Sequence, residues 1–301
     1  LDLLVRDVKA VEPTTRDTLL PVERLKVELR FWKLLKKEVE IEEISIRNAT
    51  FDTRDFIDGV VVSGHLGELF LESHGVVFSP ETARINEFSV KNTDVSLTLG
   101  SIESTDTVPS EPLYWKILLD EIDFENVGFA LKMPQDSLFV RTMLPKTTLK
   151  NGVIDLKEAS YYVKSFGIDN AELAYGPKEE LFLQQIGLQL DSIYYCGKDI
   201  RANIEEFVLK ERSGLELVST EGRIVSDSVL IEIPKFTMKT TASSLDLQTK
   251  IGWDVLEMKK TGVLSAKINA EIGKGDVAKI LGGRDTLFLQ TYPNKPFVFR
   301  A

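Results

Sequence analysis

Ile44-Ser45-Ile46-Arg47-Asn48-Ala49-Thr50-Phe51 is the stretch on which the reading of this chain turns. Apolar side chains fall at its first, third, sixth and eighth positions, with asparagine at the fifth. The same pattern returns as Phe88-x-Val90-x-Asn92-Thr93-x-Val95, as Ile122-x-Phe124-x-Asn126-Val127-x-Phe129 and as Phe166-x-Ile168-x-Asn170-Ala171-x-Leu173. Successive copies lie 44, 34 and 44 residues apart. Within each copy the first apolar pair obeys the two-residue period of a strand, and so does the second, but the phase slips by one residue at the asparagine. A one-residue slip normally sends every later side chain to the opposite face of a sheet. A β-bulge absorbs such a slip, and asparagine tolerates the left-handed backbone that some bulges need. Each copy therefore predicts a strand bent at its asparagine with both apolar pairs facing one way; a short connection between two strands would also fit.

Outward from these copies, period-2 alternation dominates. Val60-x-Val62, Leu69-x-Leu71, Val95-x-Leu97-x-Leu99 and Leu215-x-Leu217 are examples, as are Val229-x-Ile231-x-Ile233, Leu245-x-Leu247 and Leu264-x-Ala266-x-Ile268-x-Ala270-x-Ile272. Charged and hydroxyl residues fill the alternate positions, the mark of strands with one dry and one wet face. Clusters such as Ser101–Ser110 and Arg212-Ser213-Gly214 punctuate them. The Asn motif fades after residue 175 while strands continue. Helical periodicity is confined to short segments at Phe31–Lys37 and at Gly275–Leu281, the second ended by Gly282-Gly283. The expected fold is all-β: an elongated, mostly antiparallel repetitive sheet folded over into an apolar, taco-like groove, with one or two short helices. No linker divides the chain, so residues 1–301 read as one continuous segment of a longer protein, with Asn-motif repeats over about 41–175 and degenerate strands over about 176–301.

Charge and composition exclude several function classes. The net charge is −10, from 47 acidic and 37 basic residues. That field repels a phosphate backbone, and no basic cluster offsets it, so nucleic acid is not an expected partner. The single cysteine, Cys196, excludes an internal disulfide framework and a cysteine-rich zinc site, and reads as a small buried hydrophobe. The longest run of apolar residues and glycine is five, against about 20 needed to span a bilayer as a helix.

Asp17-Thr-Leu-Leu20, Leu25-x-Val27-x-Leu29, Leu34-Leu35-Lys-Lys-Glu and Ile41-x-x-Ile44-x-Ile46-x-Asn48-Ala49 resemble the opening of AsmA-like proteins. Trp115-Lys-Ile-Leu-Leu-Asp-Glu-Ile122-Asp-Phe-Glu-Asn126 and the Thr-Thr-x-Ser-Ser of Lys235–Leu247 resemble the TamB (translocation and assembly module) branch of that family. The resemblance covers most of the chain as a loose pattern without a catalytic signature. It implies a periplasmic body anchored to the inner membrane through a helix outside this chain, and kinship with bridge-like lipid-transfer proteins. The partners it implies are phospholipid acyl chains, or an outer-membrane barrel assembly partner in the family's other role, with membrane contact made by segments outside this chain. It brings no cofactor and no catalytic residue.

The search for chemistry agrees in expecting no enzyme, no cofactor and no metal site. His65 and His74 are nine residues apart and read as strand and turn residues near Gly67, since Glu68 and Glu72 make no recognised ligand spacing with them. Gly273-Lys-Gly275-Asp276 and Gly282-Gly-Arg-Asp285 lack the phosphate-loop spacing and read as turns and helix caps. Asn48-Ala-Thr50 fits a glycosylation sequon. The apolar stripes carry the functional expectation: Leu215, Leu217, Val229, Ile231, Ile233, Leu245, Leu247, Leu264, Ala266 and Ile268 as a lipid-contact trough, joined by Phe236 and Met238 if Pro234 resets the phase. The same alternation would also suit the closed core of a sandwich or barrel.

Overall fold

The computed structural model describes residues 1–11, 18–30, 32, 40–53, 59–78, 81–100, 114–258, 262–282 and 286–301. The expected helix at Phe31–Lys37, the Leu34-Leu35 element and the Ser101–Ser110 punctuation lie outside them.

The described chain is all-β. Its strands are β1 (Asp2–Val11), β2 (Thr18–Leu29), β3 (Ile41–Asp52), β4 (Val60–Phe78), β5 (Glu81–Leu99), β6 (Lys116–Met133), β7 (Leu138–Asp155) and β8 (Ser160–Tyr175). They continue as β9 (Leu181–Cys196), β10 (Asp199–Glu211), β11 (Glu216–Ser226), β12 (Leu230–Thr240), β13 (Ser244–Gly252), β14 (Leu264–Ile272) and β15 (Phe297–Arg300). The three described helices are short: α1 (Trp253–Leu256), α2 (Lys274–Leu281) and α3 (Thr286–Thr291). Neighbouring strands follow chain order from β1 to β15 without closing into a barrel. The pairings run antiparallel from β1 to β5, between β6 and β7, and from β9 to β15, while β5 and β6 lie parallel. The expected Gly275–Leu281 helix is α2, and Gly282 ends it in the left-handed conformation at φ 55°.

Contacts divide the chain into two units, one of residues 1–159 with 171–182, the other of residues 160–170 with 183–301. In the first unit the Asn motif explains itself. Asn48, Asn92 and Asn126 all adopt positive φ, at 49°, 50° and 53°, and Asp7 in β1 does the same at 52°. Their facing residues are Glu23, Gly67 and Pro145: Val22 and Arg24 pair with Ala49 and Arg47, Arg47 and Ala49 with Glu68 and Leu66, and Glu125 and Val127 with Lys146 and Leu144. The pairing offset is the same on both sides of each asparagine. The left-handed residue expected at the motif is therefore present, but the extra residue of a bulge is not. Facing strands slip phase at one common level, so no residue is left over.

This arrangement accounts for the spacing of the motif. Strands β1, β3, β5 and β6 place apolar residues four and two before the slip and an apolar or β-branched residue one after it, as Leu3, Val5 and Val8 do about Asp7. Strands β2, β4 and β7 return with the mirrored phase, as Leu66, Leu69 and Leu71 do about Gly67. A step of 44 residues is one strand and its return. The step of 34 joins the parallel neighbours β5 and β6, where Asn126 Nδ2 donates to Asn92 Oδ1 at 3.3 Å. Gly67 sits where a Cβ would lie 2.5 Å from the Asn92 carbonyl oxygen, so only glycine fits there.

A second level repeats the device. Asn151 has φ 53°, and a Cβ on the next residue, Gly152, would lie 3.2 Å from Leu149 Cδ2 and 3.3 Å from Leu119 Cβ. Positions 149 and 152 thus share a face although they lie an odd three positions apart. Asn170 in the second unit has φ 56°. True bulges occur in that unit, at positions without the motif: the β9–β10 register shifts where Gln185 and Ser192 take φ 54° and 55°, and the β12–β13 register shifts between Ile233 and Phe236.

Asn92 is exposed, so its backbone requirement can be tested without disturbing packing. Asn92→Val is expected to cost about 1–2 kcal/mol in denaturant unfolding, the penalty of a Cβ-branched residue in the left-handed region. Asn92→Gly should cost less. Equal stability of the valine and asparagine proteins would contradict the kink.

Candidate functional site

Residues directly opposite one another across a ladder share a face. In the second unit one such row runs Leu190–Ile204–Gly222–Phe236–Leu247–Ile268 across six strands. A second runs Tyr195–Ile200–Ser226–Ile231–Ile251–Leu264. A third runs Thr220–Met238–Leu245–Ala270–Phe299, and Ile233–Thr249–Ala266 lies between. The bulge at Pro234 puts two residues of β12 opposite one of β13, so Ile233 and Phe236 face the same way. Of the twelve residues singled out from sequence, Ile231, Ile233, Phe236, Met238, Leu245, Leu247, Leu264, Ala266 and Ile268 are thereby on one face. Leu217 joins it through its pairing with Thr240. Leu215 lies just before β11, and Val229 lies in the turn before β12, 65% exposed.

Sequence reasoning left Ile251 and Ala270 out of the trough, although they continue the phases of Leu247 and Ile268, and it missed Phe299 on the short last strand. It missed Gly222 because a glycine adds no apolar signal. A Cβ there would meet Phe236 Cδ2 at 2.7 Å, so the Phe236 ring spreads over a position that must stay bare. The other face is polar: Glu232 faces Lys250, with Nζ and Oε1 2.8 Å apart, and Arg223 faces Lys235.

The first unit has the same two-faced construction. One row runs Leu3–Val27–Ile44–Leu71–Phe88–Ile122–Leu149 and the next Val5–Leu25–Ile46–Leu69–Val90–Phe124–Thr147. Phe88 and Phe124 meet edge to face at 6.2 Å. The opposite face carries Asp2, Glu28, Glu43, Glu72, Glu87, Glu121 and Lys150 in line. Directly opposed like charges repel. Lys26 relieves part of that, binding both Glu28 and Glu43, and Lys150 binds Glu121 at 2.8 Å. The hydrogen bonds that Lys26 donates to Glu28 and Glu43 raise its ammonium above the ordinary pKa.

The decisive property of these faces is exposure. No member of the Leu3–Leu149 row or of the Leu190–Ile268 row is buried. Among the described residues the buried apolar core is Val22, Ala49, Ala83, Leu119, Ala171 and Ala174, and no large side chain is fully buried. A well-formed depression of about 350 Å³ in the first unit is lined by Val95, Phe129, Met143 and Phe182 beside Arg141 and Glu172. That volume sits at the low end for a small-molecule site. The apolar surface is laid out along the strands instead.

Both histidines lie within the uninterrupted strand β4, not about a turn at Gly67. His74 Nδ1 is hydrogen-bonded with Asn86 Oδ1 at 2.5 Å, and His65 pairs with Thr50 and Asp94. Cys196 closes β9 and is half-buried, short of the full burial expected of it.

Beyond β14 the chain is clamped. Asp276, in the first turn of α2, is only 3% exposed. Its carboxylate accepts from Ser243 Oγ at 2.6 Å, from Thr241 Oγ1 at 3.2 Å and from Thr240 Oγ1. Burial opposes the charge, but the hydrogen bonds from Ser243, Thr240, Thr241 and the Ala242 amide outweigh it and hold the pKa below the usual aspartate value. The Thr-Thr-Ala-Ser-Ser turn and the Gly273-Lys-Gly275-Asp276 segment, read separately in the sequence, are two halves of one structural contact.

No protein-family model matches the chain, and no curated protein matches it by sequence.

Because the folded pKa of Asp276 is depressed, its stabilisation is fully present above the unfolded aspartate pKa and is lost as pH falls through the folded one. Asp276→Ala is expected to cost about 1–3 kcal/mol at neutral pH, leaving the part-buried hydroxyls of Thr240, Thr241 and Ser243 without that acceptor. The difference from the unsubstituted protein should begin to shrink as the pH falls below the ordinary aspartate value of about 4 and go on shrinking through the depressed folded one. Paired melts from neutral pH down into the acid range below that ordinary value check both, and a pH-independent difference would contradict the assignment.

Proposed function

We propose that the apolar faces of this protein bind phospholipid acyl chains, and that the chain is a non-enzymatic segment of an envelope protein carrying phospholipid between inner and outer membranes through the periplasm. The observation that carries the reading is the seven-strand row from Leu3 to Leu149, apolar throughout and nowhere buried. Large contiguous apolar surface left in water marks a binding site. Each Leu or Ile side chain gains about 1.5–3 kcal/mol on full burial, so covering such a face is strongly favourable. Acyl chains suit it because a continuous apolar stripe running from strand to strand offers contact along an extended chain, while head groups remain in solvent.

On this reading the lipid-contact residues are Leu217, Ile231, Ile233, Phe236, Met238, Leu245, Leu247, Leu264, Ala266 and Ile268, with Leu215 and Val229 at the margin. Inner-membrane anchorage belongs to segments outside this chain. A second reading is a scaffold that assists outer-membrane barrel assembly by strand pairing with a partner.

Mass spectrometry of lipid extracted from the purified protein separates the two. Lipid conduction predicts co-purifying phospholipid, and a lipid-free protein with full stability favours the scaffold. Ile231→Glu is expected to leave the protein folded, since the new carboxylate reaches water from an open face, and to lower bound lipid. In a closed core the same change would cost several kcal/mol and unfold the chain.

A further inference from the structure

Buried polar atoms in a folded chain are hydrogen-bonded with few exceptions. Among the described residues two side-chain atoms break that rule, Thr147 Oγ1 and Thr220 Oγ1. Thr147 is 6% exposed and Thr220 3%. One lies in each unit, and both lie on the apolar face. Thr147 stands opposite Phe124, and Thr220 opposite Met238.

Other buried hydroxyls on the same faces are satisfied from within the sheet. Thr93 Oγ1 donates to the Lys91 carbonyl oxygen at 3.0 Å, Thr249 Oγ1 to that of Ser265 at 2.9 Å, and Ser226 Oγ to that of Leu230 at 3.3 Å. A hydroxyl withdrawn from water without a partner is destabilising. Valine, with a methyl in place of the hydroxyl, would fill either position without that cost. Packing alone therefore does not account for threonine at 147 or 220.

The cover over these hydroxyls is made of side chains on open faces. Met238 is half-buried, and its unbranched thioether chain turns about three rotatable bonds. Phe236 spreads over the bare Gly222, the next residue of β11 on that face. Swinging Met238 aside uncovers the Thr220 hydroxyl without disturbing the ladder.

We infer that Thr147 and Thr220 are polar anchors for bound lipid, each hydroxyl donating to an ester carbonyl oxygen of an acyl chain that lies on its face. The inference rests on the acyl-chain reading above and adds the chemical class to it, an acyl ester in place of a plain hydrocarbon chain. The ester carbonyl is the first polar group beyond an acyl chain, so it comes down onto an apolar face whose head groups stay in solvent. It brings an acceptor without a charge, and it satisfies the hydroxyl that the unliganded face leaves bare.

The test is displacement of a fluorescent acyl probe from the full chain by two phosphatidylcholines of equal chain length, one ester-linked and one ether-linked, the second lacking the carbonyls. The unsubstituted protein binds the ester-linked lipid about fivefold more tightly, the worth of one neutral hydrogen bond. Thr147→Val and Thr220→Val each reduce that preference, and the double variant binds the two lipids equally. Thr220→Ser keeps the hydroxyl and keeps the preference. Without lipid the double variant melts no lower than the unsubstituted protein, since no hydroxyl is left without a partner. Equal binding of the two lipids by the unsubstituted protein overturns the inference, leaves the acyl-chain reading standing and assigns water to both hydroxyls. A preference undiminished in the double variant overturns it as well. Absence of lipid binding altogether overturns the acyl-chain reading and this inference with it. If a valine variant fails to fold, the ester–ether comparison on the unsubstituted protein decides.

Discussion

A left-handed residue on one strand, matched by a phase change at the same level on the strand facing it, is the constraint on which the rest of this structure depends. One unmatched slip would send half of a strand's apolar side chains into water on the wrong side. Matched slips leave the ladder in register and keep a single face apolar through long strands. In β4 and β5, each 19 residues long, strict alternation without a slip would impose a straight run that strongly twisted sheets do not keep.

The residues that carry the slip differ between strand directions for a physical reason. The strands β3, β5 and β6 use asparagine, whose short polar side chain tolerates the left-handed backbone and bonds locally. Asn48 reaches Glu23 across the ladder, with Nδ2 2.5 Å from Oε2, and Asn126 reaches Asn92. Their antiparallel partners at that level, Glu23, Gly67 and Pro145, do not appear among the left-handed residues, so their backbone demands no common residue type, and Gly67 is fixed by the close approach of the Asn92 carbonyl instead.

That asymmetry sets what could be read in advance. The asparagine copies, the face shared across Pro234 and the helix ending at Gly282 were legible, because each rests on a local pattern. The mirrored phase of β2, β4 and β7 was hidden behind three unlike residues. The bulges at Gln185 and Ser192 have no residue signature at all. The parallel pairing of β5 and β6 follows from a connection whose residues say nothing about direction, although the odd step of 34 between copies is its trace. The Asp276 contact joins segments 33 to 36 residues apart, beyond any local reading. Ile251 and Ala270 were in plain phase with residues already chosen and were simply the next steps along their strands.

The account ties the phase changes to an apolar face that stays open for acyl chains, so the most direct measurement reads both at once. Single cysteines placed along β12 in a Cys196→Ser background, from position 231 to position 238, would carry an environment-sensitive fluorophore while phospholipid is added. The account predicts lipid-dependent blue shifts at 231, 233, 236 and 238 and none at 232, 235 and 237, the alternation breaking at Pro234. Uniform response, strict alternation through 234, or no response to lipid at any position would contradict it.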